Sequence, residues 1–119
     1  MTNARILVVE DEFFVAEEIA DALEAAGFEV VGPCPTVAAA LARIADGPSL
    51  DAAVLDASLR HASSLPVAEA LAERGIPFAV VTGFSADQLP ARMAAAPVLT
   101  KPLRCEDLVR LLQGLLSVG

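Results

Sequence analysis

Tryptophan and tyrosine are missing from this sequence, aromatic residues make up only 4% of it, and there is a single histidine. A core must therefore come from Val, Leu, Ile and Ala, which bring the hydrophobic share to 55%. That share excludes a disordered chain, because burial on this scale offsets the entropy lost on ordering. Positive charge is scarce too: 8 Lys plus Arg face 16 Asp plus Glu, leaving a net charge of −8. Such a surface repels a phosphate backbone and excludes nucleic-acid binding without a basic partner. The first apolar run, Ile6 to Val9, stops at Glu10 and Asp11, too short for a signal-peptide core or a membrane span. The expected compartment is the cytoplasm. Cys34 and Cys105 form neither a metal-ligand spacing nor a disulfide framework and are read as reduced, semi-buried side chains.

At 119 residues the chain is long enough for one core and too short for two, so residues 1–119 are read as one domain. Short apolar runs alternate with helical patterns. The runs are Arg5–Val9, Glu29–Cys34, Ala52–Asp56, Phe78–Thr82 and Pro97–Thr100, several of them continuous, as in strands of a parallel sheet covered on both faces. Between the first two, Val15, Ile19, Ala22, Leu23 and Ala26 recur at helical spacing over Phe13–Ala26, and Gly27 follows in the place of a left-handed stop. A second helix is expected over Val37–Ala45 with Thr36 as its N-cap, and a third over Leu65–Glu73, opened by Ser63 or Ser64. Pro90 makes a fourth, over Ala86–Ala95, short or irregular. The fifth, Glu106–Leu116, carries an apolar stripe of Leu108, Leu111, Leu112 and Leu115. Five βα units with right-handed crossovers imply an α/β, flavodoxin-like doubly wound parallel sheet of strand order 2-1-3-4-5.

In that fold the ligand crevice lies at the carboxyl ends of the strands, beside the point where the order reverses. Those ends carry Glu10 and Asp11, then Asp56, then Thr82-Gly83, then Thr100-Lys101-Pro102. Each has an ordinary structural explanation when taken alone. Together, three converging carboxylates repel one another and call for a neutraliser, which a divalent cation plus a lysine supplies. Oxygen ligands suit a hard cation such as Mg²⁺. An Asp beside Mg²⁺ and Lys can attack a phosphoryl group, with metal, ammonium and hydroxyl meeting the developing charge.

The segments Ile6-Leu7-Val8-Val9-Glu10-Asp11-Glu12, Val54-Leu55-Asp56, Val80-Val81-Thr82-Gly83 and Leu99-Thr100-Lys101-Pro102 resemble those of bacterial two-component response-regulator receiver domains, in the same order and over nearly the whole chain. The resemblance implies that Asp56 is the phosphoacceptor and that Glu10, Asp11, Asp56 and the Ser58 carbonyl form the Mg²⁺ set, Glu10 through water. It further implies that Thr82 binds the phosphoryl group, that Lys101 pairs with it, and that the Lys101-Pro102 bond is cis. The implied partner is a sensor histidine kinase or histidine phosphotransfer protein, with a downstream protein target, no nucleic acid, no membrane, and a monomeric or weakly dimeric state. A stand-alone receiver is expected, without turnover on a separate substrate. The alternatives are a phosphorylation-independent interaction domain and a small phosphatase; Ser58, standing where such a phosphatase has a second carboxylate, speaks against the latter.

Glu10 replaces the commoner Asp, and Val98 stands where many receivers carry a Tyr or Phe that changes rotamer. An aromatic appears instead at Phe84. The run Pro77-Phe78-Ala79-Val80-Val81-Thr82-Gly83-Phe84 is similar to the FAT GUY group of receivers, with Val80 and Val81 departing from its Phe and Ala. His61 is read as a solvated loop residue. Of Phe13 and Phe14, one ring is expected to pack inward and the other to join the fifth helix in a docking patch. Phe84→Ala is expected to change the lifetime of the phosphorylated form or its phosphorylation-induced spectral shifts; no change in either would remove Phe84 from the switching role.

Overall fold

The computed structural model describes residues 3–59, 62–83 and 88–117. The elements run β1 (Arg5–Val9), α1 (Phe13–Ala25), β2 (Glu29–Cys34), α2 (Val37–Asp46), β3 (Ala52–Asp56), β4 (Ser58–Leu59), β5 (Ala62–Ser63), α3 (Leu65–Glu73), β6 (Phe78–Thr82), α4 (Ala91–Ala94), β7 (Val98–Thr100) and α5 (Cys105–Ser117). Five strands form one parallel sheet in the order β2-β1-β3-β6-β7, the doubly wound order read from the sequence. The short β4 and β5 pair antiparallel in a hairpin of their own, which the sequence reading did not contain.

Alternation along the strands explains why the runs are continuously apolar. In β1, Ile6 and Val8 join a core with Ile19 and Leu23 of α1 and Leu108 and Leu112 of α5. Leu7 and Val9 join the opposite core, with Ala40 and Ile44 of α2 and Val67, Ala68 and Leu71 of α3. A strand covered on both faces has no position at which a polar side chain is cheap. The same period of two carries Ala52 and Val54 toward α1 and α5, and Ala53 and Leu55 toward α2 and α3.

Helix ends follow local chemistry. Thr36 Oγ1 accepts the Ala39 N–H at 3.1 Å and caps α2. The cap of α3 is divided: Ser64 is the N-cap residue without a side-chain cap bond, while Ser63 Oγ accepts the Leu65 N–H at 3.1 Å. Ser64 is fully buried and its Oγ donates to the Ala57 carbonyl at 3.3 Å, tying the start of α3 to the end of β3. Pro90 is the N-cap of α4, which lasts only four residues. No described helix is long and apolar enough to cross a membrane.

Phe13 and Phe14 are both exposed, at 68% and 83%, and stack edge-to-face with ring centroids 5.5 Å apart. Val15 and Ala16, next along α1, take the core-facing positions of its first turn, so both rings are left on the outward side. Phe84 and His61 lie outside the described residues.

The register of β1 against β2 shifts between Leu7 and Val9, which places Gly32 and Pro33 in a bulge. Gly32 has φ +101°, and a Cβ there would meet the Cys34 nitrogen at 2.8 Å and the Val8 carbonyl at 3.0 Å. Gly27 has φ +94° but open space around it. Gly32→Ala is therefore expected to destabilise the protein by about 1 kcal/mol or more beyond Gly27→Ala, as read by urea unfolding; equal losses would show that backbone conformation alone matters at both sites.

Candidate functional site

The carboxyl end of the sheet collects most of the charged groups singled out in the sequence. Asp56 is the last residue of β3 and shares the parity of Ala52 and Val54, so it emerges on the side of α1 and α5. Glu10 follows β1 directly, and its N–H donates to the Cys34 carbonyl at 3.0 Å, extending the pairing with β2 past the bulge. Lys101 follows β7, and its N–H donates to the Thr82 carbonyl at 2.8 Å. The Lys101-Pro102 peptide is cis, as the resemblance implied.

The lysine ammonium is the centre of the cluster. Lys101 Nζ lies 2.8 Å from Asp56 Oδ2 and 3.8 Å from both Glu10 Oε1 and Glu12 Oε1. The other Asp56 oxygen, Oδ1, accepts the Ser58 N–H at 3.0 Å. Asp56 is 6% exposed and Glu10 2% exposed, while the Glu12 side chain is 64% exposed. Carboxylates of Glu10, Asp11 and Asp56 each present an oxygen within 4.8 Å of the others. Thr82, also buried, ends β6 in register with Thr100, one residue before Lys101.

These distances define a site out of balance. Glu10 Oε2 accepts the Glu12 N–H at 3.0 Å, but Glu10 Oε1 is buried and makes no hydrogen bond among the described residues. A buried, incompletely paired carboxylate is costly to ionise. Burial pushes the Glu10 carboxyl up to about 7, and the neighbouring Asp56 charge adds to the rise against the pull of the Glu12 N–H and Lys101. Burial by itself would lower the Lys101 ammonium, but its bond to Asp56 and the surrounding carboxylates hold it above its usual range. Oxygen donors only, converging carboxylates and a buried oxygen without a hydrogen bond fit a hard divalent cation, which Glu10, Asp11 and Asp56 would hold.

Of the residues expected at the site, Glu10, Asp11, Asp56 and Lys101 are brought together, with Ser58 and Thr82 at its edges. The sequence reading assigned no role to Glu12, which shares Lys101. Its signal was available: a third acid directly after Glu10 and Asp11, at the mouth of the same crevice.

A raised carboxyl pKa has a definite consequence for stability. Below about 4.5, the ordinary carboxyl value, Glu10 is protonated in both folded and unfolded chains. As pH rises toward about 7 the unfolded chain releases this proton and the folded one keeps it, so stability falls across that window and levels off above it. Without metal, the wild type is expected to lose on the order of 2 kcal/mol relative to Glu10→Gln between pH 5 and 8. Urea unfolding in chelator checks this, and parallel pH profiles would refute it. Lys101, with its pKa raised, stays charged throughout and contributes no slope.

Comparison with known proteins places this geometry in a family. The family model described as the response regulator receiver domain matches residues 6–113. No match is found among curated proteins. Among solved structures, SdrG from Sphingomonas melonis Fr1 is similar at 45% identity, covering 98% of this chain and 99% of that one, with a TM-score of 0.82. The BeF3-activated conformation of SdrG, from Pseudomonas melonis Fr1, is similar at 44% identity and a TM-score of 0.77, with 98% and 99% covered. A CheY-like receiver domain protein from Methanospirillum hungatei JF-1 shares the fold at 25% identity, covering 97% and 94%, with a TM-score of 0.85. With its sheet order and the span of the family match in agreement, the chain belongs to the response regulator receiver domains, the receiving modules of two-component signalling.

Proposed function

We propose that the chain is a receiver, over residues 1–119, that accepts a phosphoryl group on Asp56 from a phosphohistidine donor and signals by binding a partner or passing the group on. The observation that carries this reading is the state of Asp56: nearly buried, held between the Lys101 ammonium and the Ser58 N–H, and beside two further carboxylates. An aspartate so placed is fixed in orientation next to a cation, as a phosphoryl acceptor must be.

In the transfer, an Asp56 oxygen attacks phosphorus, the new O–P bond forms as the donor's P–N bond breaks, and the imidazole leaves with its electron pair. Lys101 then exchanges its Asp56 partner for a phosphoryl oxygen, and the Thr82 hydroxyl at the neighbouring strand end donates to another. Glu10, Asp11, Asp56 and the Ser58 carbonyl would hold Mg²⁺, which when bound neutralises charge on the carboxylates and on the transferring group. The backbone N–H of Ser58 keeps Asp56 from rotating out of line. The BeF3-activated conformation of the 44% identical SdrG supports the reading, since beryllofluoride imitates a tetrahedral phosphoryl group. The likeness of Pro77 to Phe84 to the FAT GUY receivers extends it to that group, with Phe84 as the readout. The donor is a histidine kinase or phosphotransfer protein in the cytoplasm, met at the surface of α1 and α5 where Phe13 and Phe14 stand out. The product is a signalling state of this chain, so no turnover on a separate substrate is invoked.

Intact-mass measurement after incubation with acetyl phosphate and Mg²⁺ tests the proposal. One added phosphoryl group is expected, absent in Asp56→Asn and in chelator, and formed about 10²-fold more slowly in Lys101→Ala, which loses a preorganised charge donor. No added mass, together with no binding of Mg²⁺ or beryllofluoride, would overturn the reading in favour of a phosphorylation-independent interaction domain.

A further inference from the structure

Phosphoryl transfer as described uses every charged group of the crevice except one. Glu12 stands at its solvent lip, 64% exposed, with Oε1 3.8 Å from Lys101 Nζ. It lies outside the three carboxylates whose oxygens converge. Its backbone N–H serves Glu10, a task that any residue but proline would perform. Its side chain makes no cap hydrogen bond to α1, although Glu12 is the N-cap residue. The carboxylate is therefore dispensable to the helix and is directed at the ammonium.

The charge count gives this placement its meaning. Lys101 is the only lysine in the chain, and four carboxyl groups, Glu10, Asp11, Glu12 and Asp56, gather around it. With all of them ionised the crevice holds an excess of three negative charges, and a divalent cation leaves one. Glu12 supplies that last charge at the entrance. A small donor such as acetyl phosphate, a dianion at neutral pH, must approach against it with no other contact to compensate. A phosphoryl group presented on a protein meets the same local repulsion but is delivered by docking contacts made away from the crevice.

We propose that Glu12 is a donor-discriminating residue: its carboxylate, facing Lys101 at the crevice mouth, holds back small free dianionic phosphodonors and leaves the acceptor to protein-borne ones. This inference rests on the phosphoacceptor reading of Asp56. Glu12 acts on the approach and on Lys101 and is a positioning and specificity residue, not a catalytic one.

The test compares initial phosphorylation rates of the wild type, Glu12→Gln and Glu12→Asp at saturating Mg²⁺. The donors are acetyl phosphate, a dianion, and phosphoramidate, which carries one net negative charge. Glu12→Gln is expected to react about three- to tenfold faster than wild type with acetyl phosphate at low salt, the effect of one charge on a dianion several ångströms away. The gain should be smaller with phosphoramidate, and should shrink with added salt as the screening length falls from about 10 Å at 0.1 M to about 3 Å at 1 M. Glu12→Asp, which keeps the charge, should stay near wild type. A Glu12→Gln rate at or below wild type would overturn the proposal. So would an equal gain with both donors that salt does not alter, which would mean steric opening. Wild type and Glu12→Gln that both take up nothing from either donor and bind neither Mg²⁺ nor beryllofluoride would overturn the phosphoacceptor reading itself, so the two failures are distinguishable.

Discussion

The 2.8 Å contact between Lys101 Nζ and Asp56 Oδ2 joins two strand ends that are not neighbours in sequence and fixes the centre of a crowded anionic site. Everything around it is arranged by that shortage of positive charge. Glu10 is buried with one oxygen unanswered and holds its proton to unusually high pH. Asp11 and Asp56 each bring an oxygen within 4.8 Å of it and of each other. The buried carboxylates of the site are a cost that burial in the two cores must offset. A ligand set kept under electrostatic strain binds a cation with a larger gain than a relaxed one, at the expense of stability without it.

Strand parity is the link between the cores and the chemistry. The alternation that sends Ile6, Val8, Ala52 and Val54 toward α1 and α5 also sets the side on which Asp56 appears one step later. Moving β3 by one residue would turn Asp56 toward α2 and α3 and bring a core residue into the crevice. Packing therefore holds the register that the site requires. The pairing of β4 with β5 adds a second constraint: Leu59 is buried in the core beside α3, which anchors the residues directly after Asp56.

Much of this was legible in the residues. The parallel sheet showed in continuous apolar runs, and its order followed from five βα units. Gly27 and Thr36 announced their helix ends, and Pro90 the brevity of α4. Glu10, Asp11, Asp56 and Lys101 could be placed together because the fold puts strand ends together. What escaped notice had no periodicity to show it. Strands of two residues, Ser58–Leu59 and Ala62–Ser63, are too short to display alternation. The exposure of both Phe13 and Phe14 depends on which face of the first turn of α1 meets the core, and there Val15 and Ala16 take the inward positions. Glu12 resembled an ordinary residue at the head of a helix until its distance to Lys101 was known.

A chain with one lysine has one ε-amino group, and here it is inside the anionic crevice. Acyl and isopeptide marks, which elsewhere decorate a protein surface without touching its working centre, have no neutral address on this one. Acylation or isopeptide formation on the folded protein would remove the charge that holds Asp56. The ammonium is partly shielded, at 27% exposure, and kept protonated by the carboxylates around it, so it is also a poor nucleophile. The same carboxylates that surround Lys101 protect it from modification.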